Sequence, residues 1–216
     1  AAPSPEFERP SARGRWMEMA TLFAAAPTLI LSGLWPMEHR MVLLGAAAAF
    51  CTAVLLRNRA TGPQLGLRGS TASAARCLAW GTALWIALCT AVAWTRARSG
   101  EPLLPMIDGD PHAFLRLSLS YTLSVAAQEL IFRGYFFWRY AALASPGVLA
   151  LANCACFGWI HIIYGSWISV ALSAAGGLVF TALYLRHRHL PAVCAIHMLY
   201  GLTVFAMGWG PYFLRG

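Results

Sequence analysis

The chain of 216 residues is 59% hydrophobic and only 11% charged, with a mean hydropathy of +0.59. A water-soluble domain carries roughly 25% Asp, Glu, Lys and Arg, so this composition excludes an ordinary soluble globule and points to lipid as the solvent. The formal charge of +8 comes entirely from arginine, scattered through short connectors; without a basic stripe, nucleic acid is not an expected partner.

Residues 1–15 form a polar N-terminal segment, and a single all-α membrane domain is expected over 16–213. Seven helical spans fit the apolar runs: 16–35, 41–56, 77–95, 113–139, 147–163, 167–185 and 190–213. Helix is the natural spanning structure, because hydrocarbon offers backbone groups no partner outside the segment. Trp16 and Trp35 bracket the first span as interfacial aromatics do. Within it, Ala24-Ala25-Ala26 resembles a signal-cleavage site, but Pro27 follows and the apolar run continues, so an uncleaved span is expected. The polar loop 57–76 contains Gly62-Pro63 and Gly69-Ser70 and reads as a connector.

From Tyr140 to Leu185, 46 residues pass without Asp, Glu, Lys or Arg. A single crossing needs only about 20 residues, so this run holds two. The six cysteines lie in or beside apolar runs without zinc or redox spacing, and read as small hydrophobes with no disulfide framework. With the N-terminus inside, inner segments carry ten arginines and outer segments five. The positive-inside rule therefore predicts an internal N-terminus and an external C-terminus; a bacterial inner membrane is the expected location.

The stretch AAQELIFRGYFFWRY, residues 126–140, contains Glu129, the last acidic residue of the chain. Its place in the fourth span puts it about 15 Å deep. An ionisable group there is costly to hold, so it reads as functional with a partner. Arg133, four residues on, shares its helix face; a purely structural ion pair between helices is the alternative. His161 and His197 lie on two further spans at compatible depths, and together the three groups point to a site. His187 and His189 read as interfacial, and His39 and His112 as loop residues.

Gln128-Glu129-Leu130-Ile131-Phe132-Arg133-Gly134, then Phe157-x-x-x-His161, then His197 resembles the motif series of the CPBP family. These are the CAAX prenyl protease and bacteriocin-processing membrane proteins, whose motifs EExxxR, FxxxH and HxxxN or HxxxD occur in that order. The resemblance covers about 113–213, with Leu65-Gly66-Leu67-Arg68 as a weaker upstream element. It implies a helical intramembrane endopeptidase that uses no metal or other cofactor and cleaves a membrane-anchored peptide or protein tail. In such an enzyme the first glutamate of EExxxR activates water, assisted by the FxxxH histidine. The third-motif residues stabilise the oxyanion. The implied site is therefore Gln128, Glu129, Arg133, His161 and His197, with Phe157 and Gly201 beside the substrate or oxyanion.

Two positions depart from the pattern. Gln128 stands where the catalytic glutamate is expected, and an amide cannot take a proton from water. Gly201 stands where the third motif has a polar side chain. Gln128 admits three readings: a replacement introduced to trap an enzyme, a natural member that binds without cleaving, or transfer of the base role to Glu129. Glu129 lies about 100° round the helix from position 128. Other functions stay open beside the protease: a non-catalytic peptide-binding or immunity protein, and a proton-coupled transporter. A zinc site on Glu129, His161 and His197 is the other catalytic option, though no HExxH is present.

Overall fold

The computed structural model describes residues 11–214; most of the N-terminal polar segment, with Arg9, and the terminal Arg215 lie outside the described residues. All regular structure among them is helical. In chain order these are α1 (Ala12–Leu31), α2 (Arg40–Arg57, entered through a single tight turn at Met37–His39), α3 (Thr71–Ser99) and the short α4 (Pro105–Gly109). Next, α5 (Pro111–Glu129) runs through a widened turn (Leu130–Tyr135) into α6 (Phe136–Tyr140). Then α7 (Pro146–Trp159) tightens into a 3₁₀ segment (Ile160–Tyr164), followed by α8 (Trp167–His187). The chain closes with α9 (Leu190–Val204), a second widened turn (Phe205–Trp209) and α10 (Pro211–Leu214).

The starts are set by local chemistry. Ser11, Ser70, Asp110 and Ser166 each accept a backbone N–H at a helix N-terminus, and the His189 imidazole does the same for α9. Such caps satisfy amides that have no partner within the helix.

Among the described residues, five helices are long and apolar enough to cross a membrane: 37–57, 71–99, 146–164, 167–187 and 190–209. The other two expected spans are also helices, but they carry more polar groups. Helix α1 opens with Arg13, Arg15 and Glu18, and α5 carries His112, Arg116, Gln128 and Glu129. The distribution of side chains is inverted relative to a protein in water. Leu34, Leu56, Leu123 and Trp167 are each more than 70% exposed, while Glu129, Arg133 and Asn153 are fully buried. An exposed apolar surface of this kind needs lipid to cover it. The protein is an integral membrane helical bundle.

Close packing relies on small residues, as expected where no water drives helices together. A Cβ on Gly158 would come within 2.8 Å of the Ala174 methyl, so glycine lets α7 lie directly on α8. The loop 58–70 is more than a connector. Gly66 takes φ +70 and accepts a hydrogen bond from the Leu190 amide at 2.8 Å, while the Leu65 carbonyl accepts from the Tyr184 hydroxyl. A Cβ at Gly66 would lie 2.8 Å from the Arg188 carbonyl oxygen. Both the left-handed backbone and the close approach require glycine, which fastens this loop to the α8–α9 turn.

Candidate active site

Successive residues on a helix are turned by about 100°, so Gln128 and Glu129 face different surroundings. Tyr121, Ser124 and Gln128 share one side of α5 at helical spacing. The Gln128 side-chain amide donates to the Ser124 hydroxyl at 3.3 Å, and Ser124 donates to the Tyr121 carbonyl at 2.8 Å. This chain holds Gln128 against a partly open cavity of about 160 Å³ between α1, α2, α5 and the 160–164 segment. Tyr121, Ser124, Gln128 and His161 line it, with Arg40 and Tyr164 also on its wall; α1 and α2 contribute mainly apolar side chains. No carboxylate among the described residues lines it.

Glu129 turns instead into the bundle. Its Oε1 accepts from Arg133 Nη1 at 2.9 Å and meets His197 Nδ1 at 2.7 Å, and both carboxylate and guanidinium are fully buried. A carboxylate oxygen only accepts, so the His197 contact places a proton on Nδ1. Arg133 Nη2 donates to the Gly177 carbonyl at 3.2 Å. The guanidinium lies 4.6 Å from the Phe157 ring centre, 5.5 Å from Phe180 and 5.9 Å from Phe132. Aromatic faces stabilise a cation more strongly when water is excluded. The His197 ring stacks on Phe180 with centroids 4.5 Å apart.

The widened turn after Glu129 is secured by Asn153 of α7. Its Nδ2 donates to the Phe132 carbonyl at 2.7 Å, while its Oδ1 accepts from Thr181 of α8 at 2.9 Å. A wide turn displaces backbone groups from their usual partners, and the buried Asn153 satisfies one of them. Three helices are thereby locked around the Glu129–Arg133 pair.

His161 lies in the 3₁₀ segment that ends α7. Its Nδ1 is 2.7 Å from the Phe157 carbonyl. A carbonyl can only accept, so Nδ1 carries a hydrogen, and in the neutral ring Nε2 keeps the lone pair.

The residues singled out in the sequence thus divide into two groups. Gln128 and His161 line the cavity; Glu129, Arg133 and His197 form a hydrogen-bonded cluster behind it. His197 does not line the cavity; it is held behind it by its bond to Glu129 and its stacking on Phe180. Phe157 and Gly201 do not line the cavity either. Phe157 packs beneath Arg133, and Gly201 packs against Tyr121. Among the described residues no three of His, Cys, Asp and Glu are grouped as metal ligands.

Tyr121, Phe180, Gly177 and Asn153 were absent from the sequence reading. Of these only Asn153, a lone amide inside the long uncharged run, carried a visible signal.

Comparison with known proteins adds one finding. Residues 110–203 match the family described as type II CAAX prenyl endopeptidase Rce1-like, and all three motif segments fall inside the match. The match supports the CPBP resemblance read from those motifs. No curated protein and no solved structure matches the chain.

Proposed function

We propose, on the premise that residues 110–203 belong to the Rce1-like type II CAAX prenyl endopeptidases, that the cavity is the scissile-peptide site of an intramembrane endopeptidase, arrested at the binding stage by Gln128. The observation that carries this reading is that Gln128 and His161, from separate helices, line one cavity among apolar segments. A membrane-anchored peptide or protein tail is the substrate class such a cavity suits.

With glutamate at position 128, its carboxylate would take a proton from water while the water oxygen bonds to the scissile carbonyl carbon. Collapse of the tetrahedral intermediate would break the C–N bond, and the same proton would pass to the leaving amine. His161 Nε2, bearing a lone pair, would accept a hydrogen bond from that water and orient it. Glutamine cannot accept the proton. Glu129 is a poor substitute, since its Oε1 is engaged by Arg133 and His197 and it does not line the cavity. Its role in this proposal is to hold Arg133 and His197 in place.

The rival reading, a protein that binds peptides without cutting them, is favoured by one observation: the described cavity wall has no carboxylate. Gln128→Glu decides between them. Cleavage of a panel of lipid-anchored peptides, a farnesylated peptide ending in Cys-aliphatic-aliphatic-X among them, should rise by about 10²–10⁴. His161→Ala in that background should abolish it. Retained peptide binding with no cleavage after Gln128→Glu gives the site to the binding protein.

The proposed orientation places the N-terminus in the cytoplasm and the C-terminus outside, on the arginine bias of the connectors. Single cysteines at either end of a chain stripped of its native cysteines report this directly. An impermeant thiol reagent added to intact cells should label only the C-terminal one.

A further inference from the structure

Gly201 lies four residues after His197, on the next turn of α9. A Cβ built there would lie 1.8 Å from the Tyr121 hydroxyl oxygen and 2.2 Å from its ring Cζ. The tip of the Tyr121 side chain therefore occupies the space that any side chain at 201 would fill. Tyr121 reaches across from α5, packing edge-on against His197 at 6.0 Å and Phe205 at 5.1 Å between ring centroids. It also lines the cavity with Gln128 and His161. A phenolic hydroxyl is a hydrogen-bond donor, delivered here from α5 to the position where α9 has no side chain.

We propose that Tyr121 is a further catalytic residue of this cavity, its hydroxyl supplying from α5 the oxyanion donor that Gly201 does not supply from α9. The assignment rests on the endopeptidase reading above. In the reaction the hydroxyl donates a hydrogen bond to the scissile carbonyl oxygen as negative charge develops there, and no bond to tyrosine forms. The exchange is mutual, because Tyr121 can reach this place only while residue 201 is glycine. A polar side chain at 201 and a tyrosine at 121 exclude one another.

The test uses the full-length Gln128→Glu protein in detergent, with the farnesylated peptide as probe. Tyr121→Phe keeps the ring and its packing and removes only the hydroxyl. It should lower kcat by about 10²–10³, with KM and thermal midpoint nearly unchanged. Tyr121→Ala opens the space, and adding Gly201→Asn to it should raise kcat above that of Tyr121→Ala alone. Full kcat in Tyr121→Phe, with Gln128→Glu itself active, overturns this assignment and leaves the endopeptidase reading standing. A Gln128→Glu protein that binds the probe and cleaves nothing overturns both together.

Discussion

Two carboxylate–arginine clusters stand on the continuous helix 111–140, and they are built differently. Near its end, Glu18 of α1 is clasped by Arg139, whose Nη2 donates to Oε2 at 2.6 Å and whose Nε donates to Oε1 at 3.0 Å. Tyr135 and Tyr140 also donate to Oε1. Both carboxylate oxygens are engaged, and the pair keeps partial exposure, 11% for Arg139 and 18% for Glu18. Further up, Glu129 is wholly buried and places both its hydrogen bonds on Oε1; Oε2 has no partner among the described residues. The first cluster is a clasp that ties α1 to α6. The second gathers one cation and one imidazole beside a cavity, in a setting where a charge without its partner is far more costly. Similar residues, in two settings, carry structural and proposed functional roles.

The largest effect expected from breaking this comparison is at Arg133. Its removal leaves the fully buried Glu129 carboxylate without its counter-cation, so Arg133→Ala should destabilise the fold by ~3–5 kcal/mol. A detergent thermal midpoint equal to that of the parent would show that burial does not set the cost. Arg139→Met keeps much of the side-chain bulk and removes the charge from the more exposed pair. Because water can reach Glu18 and two tyrosines still donate to it, the loss there should be about 1 kcal/mol. If Arg139→Met proves as damaging as Arg133→Ala, the two clusters are energetically alike and the distinction collapses.

Much of the scaffold was legible in the sequence, because apolar runs and turn residues respond to solvent locally. The expected span 167–185 is observed at 167–187, and the expected 147–163 at 146–164. The Glu129–Arg133 pairing was equally legible, since four-residue spacing on one helix is local geometry. The same locality explains what was missed. Nothing in Leu130–Tyr135 announces a widened turn, which depends on Asn153 and Thr181 arriving from two other helices. Glu18 sat in the first expected span with no visible partner, because Arg139 is 121 positions away in the chain. Gly201 looked like a simple loss of a polar group; only tertiary packing reveals Tyr121 in its place.

The smallest expected effect separates the clusters by their access to ions. Mobile ions screen charges over about 10 Å at 0.1 M salt and about 3 Å at 1 M, but only where they can approach. The Glu18–Arg139 pair is open to them at the bundle edge; Glu129 and Arg133 have no exposed side-chain surface. Raising NaCl from about 0.1 to 1 M should therefore shrink the thermal-midpoint gap between the parent and Arg139→Met, by less than about 1 kcal/mol in stability. The gap between the parent and Arg133→Ala should hold constant over the same range. Each gap is measured within one detergent and salt series, so effects of salt on the micelle cancel between parent and variant. Equal salt sensitivity of the two gaps would mean that ions reach Glu129 as freely as Glu18. Burial would then no longer distinguish the two clusters.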